Sequence, residues 1–150
     1  ASRFTMEPTW TVGSALETSL RDRHDNPLDA LFGGDHNVFD FISTERSKPG
    51  RESSYVVTHA KPDWSAIHIE DEPVNVQNQI DTALETIFGV SVKPIIAHRW
   101  RFARPTDPTL TTQKGVFEID EGLWVAGDYL AGGRVEGAWL SGAAAAARLA

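Results

Sequence analysis

The last 29 residues, Gly122 to Ala150, constrain this chain more than any other stretch; they read GLWVAGDYLAGGRVEGAWLSGAAAAARLA. An apolar run, Leu123 to Ala126, breaks at Gly127-Asp128, passes through a turn containing Gly132 and Gly133, and enters a helix rich in small residues. The order is strand, acidic turn, glycine loop, helix. Glycines, having no Cβ, let backbone N–H groups approach a ligand, and the helix N-terminus adds a partial positive charge suited to phosphate or an electron-rich ring. The pattern points to cofactor binding. Gly137, Ser141 and Ala145 recur every four residues, as do Ala138, Gly142 and Ala146. Two such stripes let the helix lie close against a neighbouring layer.

The rest of the chain reads as strands and helices in mixed order. Thr9 to Leu16, Val38 to Ser43 and Ser54 to Ala60 are strands, the last being β-branched and the clearest. Arg21 to Asn37 holds Pro27, Gly33 and Gly34 and reads as an irregular loop with one helical turn near Leu28 to Phe32. Ser47 to Gly50 is a turn. Asp63 is placed to cap a short helix through Ile69. A longer helix follows, with Pro73 in its first turn and Val76, Ile80, Ala83, Leu84, Ile87 and Phe88 on one apolar face. Gly89 ends it. Val92 to Ala103 reads as a strand broken near Pro94, followed by a polar loop from Pro105 to Lys114. Val116 to Ile119 and Leu123 to Val125 flank the Asp120-Glu121-Gly122 turn as a hairpin. This order implies an α+β fold with a mostly antiparallel sheet.

Charge and composition exclude several classes. The net charge of −7 would repel nucleic acid and anionic membranes, so neither is expected as a partner. Ala138 to Ala147 is far shorter than the ~20 apolar residues that span a bilayer. The absence of cysteine removes disulfides, thiolate zinc sites and a cysteine nucleophile, and fits a reducing, cytoplasmic setting. His24, His36 and His68 lack metal-ligand spacing, and His68 beside Glu70 reads as a solvated helix edge. No nucleophile elbow, P-loop or H-E-x-x-H occurs. Five Trp and seven Phe are many for 150 residues; large aromatics fill cores or line pockets.

Gly127-Asp128 and the run Gly132 to Gly142 (GGRVEGAWLSG) resemble the C-terminal FAD-binding motif of flavin-dependent amine oxidases, in particular the renalase-like branch. Ser47 to Arg51 (SKPGR), His59 to Ser65 (HAKPDWS) and His98 to Pro105 (HRWRFARP) point the same way and stand in the expected order. The resemblance runs from about Pro8 onward. It implies FAD as cofactor, with Gly127, Asp128, Arg134, Val135 and Glu136 as the cofactor-binding positions: Asp128 near the ribityl chain, and the amides opening the helix near the pyrimidine end of the flavin ring. It also implies two parts, a substrate-domain portion at 1–115 and, at 116–150, the terminal strand, loop and helix of a Rossmann-like FAD-binding domain. The G-x-G-x-x-G turn with which such proteins hold pyrophosphate is absent, and Gly13 stands alone in the first thirty residues. The implied reading is a fragment, one polypeptide of a split enzyme, or a stand-alone descendant.

Each candidate also has a plainer reading. Gly127-Asp128 is equally an ordinary strand end. Glu136 in a first helical turn complements the helix dipole. Strand alternation sets His98, Trp100, Phe102 and Arg104 on one face and Arg99 and Arg101 on the other. The resemblance puts His98, Trp100, Phe102 and Arg101 on the substrate side, Arg99 or Arg101 meeting a phosphate or carboxylate; the plainer reading is a half-buried strand whose arginines pair with the protein's own acids. His59 and Trp64 face either the pocket or the interior, and Asp63 and Ser65 are helix-start residues. The functional expectation is hydride transfer to flavin from a small planar substrate, an amine or dihydronicotinamide, with oxygen as acceptor. No catalytic acid or base is assigned. The alternative is a non-catalytic binding domain that cannot hold FAD alone, with an apolar face at Trp139 that docks an N-terminal half or self-associates.

Overall fold

The computed structural model describes residues 5–51, 54–106 and 115–149 and divides the chain into two compact units, Pro8–Arg101 and Ala1–Glu7 with Phe102–Ala150. The first unit is a five-stranded sheet with two helices. Its strands are β1 (Met6–Leu16), β2 (Ala30–Phe32), β3 (Phe39–Thr44), β4 (Tyr55–Ala60) and β5 (Val92–Pro105), in the order β2-β3-β4-β1-β5. The pairs β2–β3, β3–β4 and β1–β4 are antiparallel. The fold is α+β with a mostly antiparallel sheet, as the element order implies.

Alternation from Trp10 to Leu16 of β1 explains the layering. Trp10, Val12, Ser14 and Leu16 are buried, whereas Thr11, Gly13 and Ala15 are half-buried on the other face. The buried set meets α1 (Pro62–Ile67) and α2 (Pro73–Phe88), whose Val76, Ile80 and Leu84 join Trp10, Val12, Ile42 and Val56 in the core. Three polar side chains buried between these layers bond to one another: Ser14 Oγ donates to Asp81 Oδ1 at 2.5 Å, and Gln77 Nε2 to Asp81 Oδ2 at 2.9 Å. Gly89 ends α2 at φ 63°, the left-handed geometry that glycine adopts without a Cβ penalty.

Five local expectations are corrected. Ala30 to Phe32 is a strand and not a helical turn, because Leu31 and Phe32 pair with Ile42 and Phe41. Gly33 allows that hairpin to close, since an added Cβ would lie 1.8 Å from the Phe39 carbonyl oxygen. Strand β5 runs unbroken through Pro94; it is the last strand of its sheet, the position where a sheet tolerates proline. Helix α1 is capped at Lys61 and not Asp63, with Pro62 in its first turn, and stops at Ile67. His68 is no solvated edge: its Nδ1 lies 2.7 Å from Asp71 Oδ2 and its ring packs, tilted by 30°, against Trp64. Ile87, expected on the apolar face of α2, is exposed. Of the polar loop from Pro105 to Lys114, residues 107–114 lie outside the described residues.

The second unit contains the hairpin of β6 (Val116–Asp120) and β7 (Leu123–Ala126), a 3₁₀ turn Asp128–Leu130 and α3 (Val135–Leu149). Gly122, at φ 76°, makes the tight link between the strands. No helix among the described residues is long and apolar enough to cross a membrane.

Candidate functional site

The loop between β7 and α3 is built by backbone hydrogen bonds that converge on two residues. Leu130 N–H donates to the Gly127 carbonyl (3.1 Å), and the Ala131 and Gly133 N–H groups both donate to the Asp128 carbonyl (2.8 Å each). Gly132 and Gly133 take φ of 95° and 67°, which few other residues adopt. The chain thereby reverses into α3 within a few residues. The first-turn N–H groups of α3 have no partner within the helix, and Arg134, Val135 and Glu136 around them are exposed, Val135 by 90%. The Asp128 carboxylate is exposed as well.

Ser141 holds this loop to the hairpin, a role its place in a stripe of small residues does not reveal. It is fully buried; Gly127 N–H donates to its Oγ at 2.7 Å, and that hydroxyl donates to the Gly115 carbonyl. Gly137, one turn earlier, is as constrained: an added Cβ would lie 2.3 Å from the Ala131 carbonyl oxygen. The two small-residue stripes therefore differ. Gly137 and Ser141 are buried against the loop and hairpin, with Ala145 half-buried beside them, whereas Ala138, Gly142 and Ala146 are exposed. The sequence signal for Ser141 is one polar residue set among small apolar ones on the packed stripe.

In the first unit, the sheet face opposite α1 and α2 carries a row of rings and polar groups running across all five strands. Phe32 and Phe41 lie 5.0 Å apart by ring centroid, and Phe41 and His59 6.2 Å. Thr11 Oγ1 lies 3.0 Å from His59 Nδ1, Trp100 Nε1 donates to the same Thr11 Oγ1 at 3.1 Å, and the His98 ring meets Trp100 edge-on at 4.4 Å. Registry makes this row: Phe32 pairs with Phe41, Phe41 with His59, and His59 with Thr11. Trp100 is about half exposed. Burial holds the His59 imidazole below its ordinary pKa, with the nearby Asp40 charge pulling the other way.

The opposite side of β5 does structural work. Arg99 stacks over the Trp10 ring (5.2 Å) and donates to the Ile69 carbonyl, and Arg101 binds Glu70 with two bonds of 2.7 and 2.9 Å. Arg101 holds the Glu70 carboxyl below the usual range. The carboxylate that these arginines meet is thus the protein's own. Phe102 belongs to the second unit and is exposed. His59 is on the open face, whereas Ser65 is buried, its Oγ accepting the Trp10 N–H at 3.1 Å. Sequence reading singles out neither Thr11 nor Phe41, since only strand registry brings them beside His59. Within Ser47 to Arg51, Lys48 and Arg51 both pair with the buried Glu45 carboxylate, so this family-like turn wraps an internal charge.

Residues 3–150 match the model of one protein family, described as flavin containing amine oxidoreductase.

Proposed function

From the chain's membership of the flavin-containing amine oxidoreductases, we propose that it supplies two working surfaces of a renalase-like enzyme: the loop Gly127 to Glu136, which contacts FAD, and the ring row of the open sheet face, which takes a planar substrate. The observation that carries the first is the start of α3. Its first-turn N–H groups, which have no partner within the helix, are flanked by exposed side chains and by Gly132, where an added Cβ would meet nothing within 4 Å. Such a donor set suits the electron-rich pyrimidine end of a flavin. FAD therefore fits these residues at that end. The chemistry the flavin supplies when bound is acceptance of hydride from a C–H beside nitrogen, followed by reoxidation with oxygen to hydrogen peroxide.

The roles of this chain's residues are orientation and electrostatics. The amides of Arg134, Val135 and Glu136 bear on the flavin edge that gains negative charge on reduction, and Arg134 adds a cation beside them. Asp128 accepts from ribityl hydroxyls, because a carboxylate beside phosphate would be repelled. His98 and Trp100 offer rings on which a flat amine or dihydronicotinamide stacks. Phe102, with its exposed ring, is assigned to the same substrate side. Arg101, clamped to Glu70, keeps the strand that carries Trp100 in place. The hairpin and α3, residues 116–150, are assigned to a Rossmann-like flavin-binding domain.

The test uses the flavin-loaded enzyme. Asp128→Ala removes charge-assisted hydrogen bonds worth about 1.5–3 kcal/mol, so flavin affinity should fall roughly 10- to 100-fold with the thermal midpoint nearly unchanged. Trp100→Ala should slow flavin reduction by substrate roughly two- to tenfold, the loss of one ring contact, and leave reoxidation by oxygen alone. Unchanged flavin content with a lowered midpoint in the first variant makes the loop structural. Equal losses in both half-reactions in the second removes Trp100 from the substrate side.

A further inference from the structure

The ring row holds a polar chain that the redox chemistry does not use. An indole N–H only donates, so Thr11 Oγ1 must accept from Trp100. The Thr11 hydroxyl hydrogen is then free to be donated to His59 Nδ1, 3.0 Å away. With His59 neutral and its proton on Nε2, each of the three groups uses its hydrogen or lone pair within the row. Thr11 lies on the central strand β1, between His59 on β4 and Trp100 on β5. The Trp100 side chain is about half exposed and, apart from His98 at its edge, has this one anchor among the described residues.

We propose that His59 and Thr11 are positioning residues for Trp100: neutral His59, through the Thr11 hydroxyl, fixes the plane of the indole, and protonation of His59 releases it. Once Nδ1 carries a proton it donates to Thr11 Oγ1 in its turn, so the oxygen accepts from imidazolium and indole at once and loses the polarisation that donating to His59 gave it. The indole bond then weakens and the ring gains freedom. His59 is suited to this because its partial burial disfavours the charged form, so the chain stays intact at neutral pH. The charged and titratable groups around it are Asp40 on β3, His98 on β5 beyond the indole, and Tyr55 four residues along on the same face of β4. On β1 the same face carries Glu7, paired with Arg104 of β5, followed by Thr9, Thr11, Gly13 and Ala15. Asp40 favours the protonated form, and a variant at His98 serves as the control.

The functional consequence rests on Trp100 being on the substrate side, so the experiment reads structure and activity separately. In the flavin-loaded enzyme, the Trp100 indole N–H resonance, assigned by Trp100→Phe, is followed from pH 8 to pH 5. It should titrate with a midpoint below the ordinary histidine value of about 6.5. That titration should vanish in His59→Gln and Thr11→Val, persist in His98→Gln, and return in Thr11→Ser. Substrate reduction of the flavin should show an acid limb with the same midpoint, and Thr11→Val at neutral pH should run at the slow rate of that limb. An indole resonance that titrates unchanged in His59→Gln, or whose titration moves away only in His98→Gln, overturns the inference. An indole that titrates through His59 while the reduction rate stays flat with pH overturns the substrate-side reading of Trp100 instead, and with it the functional half of this inference.

Discussion

Glu45 shows how one residue can define a segment. It opens a 3₁₀ turn, Glu45–Ser47, and its carboxylate is buried between the ammonium of Lys48 and the guanidinium of Arg51, both about half exposed. The Lys48 hydrogen bond, reinforced by the two positive charges, keeps the Glu45 carboxyl below its ordinary pKa. A carboxyl with a depressed folded-state pKa adds stability above its unfolded pKa, and loses it as pH falls through the folded value. Glu45→Gln should therefore lower the thermal midpoint at pH 7. The gap from wild type should shrink as pH drops below about 4.3, the ordinary glutamate value. Thermal melts of both proteins between pH 7 and pH 3 test this; a gap that is constant with pH would assign the loss to packing. SKPGR is conspicuous as a sequence, but its basic residues do their work on a glutamate that precedes it.

At the scale of elements, α3 sets helix propensity against close packing. Alanine is favoured over glycine inside a helix by about 1 kcal/mol, so Gly137→Ala and Gly142→Ala would stabilise an isolated helix equally. They should part in the folded protein. At Gly142 nothing lies within 4 Å of an added Cβ, so the gain of up to ~1 kcal/mol should appear in full. At Gly137 the added Cβ meets the Ala131 carbonyl, and overpacking of about 1–3 kcal/mol should reverse the sign and loosen the loop that follows β7. Denaturant melts of the two variants check the prediction, and equal stabilisation would mean that α3 does not press on that loop. The same contrast explains what was legible in the sequence. The spacing of Val76, Ile80 and Leu84 announces α2 because helix periodicity is local, and the alternation around Trp100 announces its face for the same reason. The strand character of Ala30–Phe32, the continuity of β5 through Pro94 and the meeting of Thr11 with His59 depend on partners that lie far along the chain, up to 89 residues away for Trp100 and Thr11, about which local pattern carries no information. Gly137 and Gly142 look alike in the sequence because only the folded neighbours distinguish them.

At the scale of the whole molecule, the composition of α3 conflicts with its surroundings. Glu136 and Arg148 are its only charged residues, and a helix apolar nearly all round is normally enclosed. Here only one stripe is covered. Val135, Trp139 and Leu140 are exposed, Trp139 by 71%. Apolar surface of this kind marks a contact site. The chain also holds no G-x-G-x-x-G turn with which to bind the pyrophosphate and adenosine of FAD. On the reading proposed above, a partner segment of the form strand, G-x-G-x-x-G turn, helix would pack on α3 and complete the cofactor site. The 150-residue chain by itself should then bind FAD weakly. Adding such a segment should tighten binding on the order of a hundredfold, the worth of two charge-assisted hydrogen bonds to phosphate. Trp139→Glu should abolish most of that gain without lowering the thermal midpoint, because the side chain packs little in the chain alone. Flavin fluorescence and calorimetry, with and without the added segment, measure each term. Tight, stoichiometric FAD binding by the chain alone would move the cofactor site elsewhere, and an unchanged gain in Trp139→Glu would take α3 out of the contact.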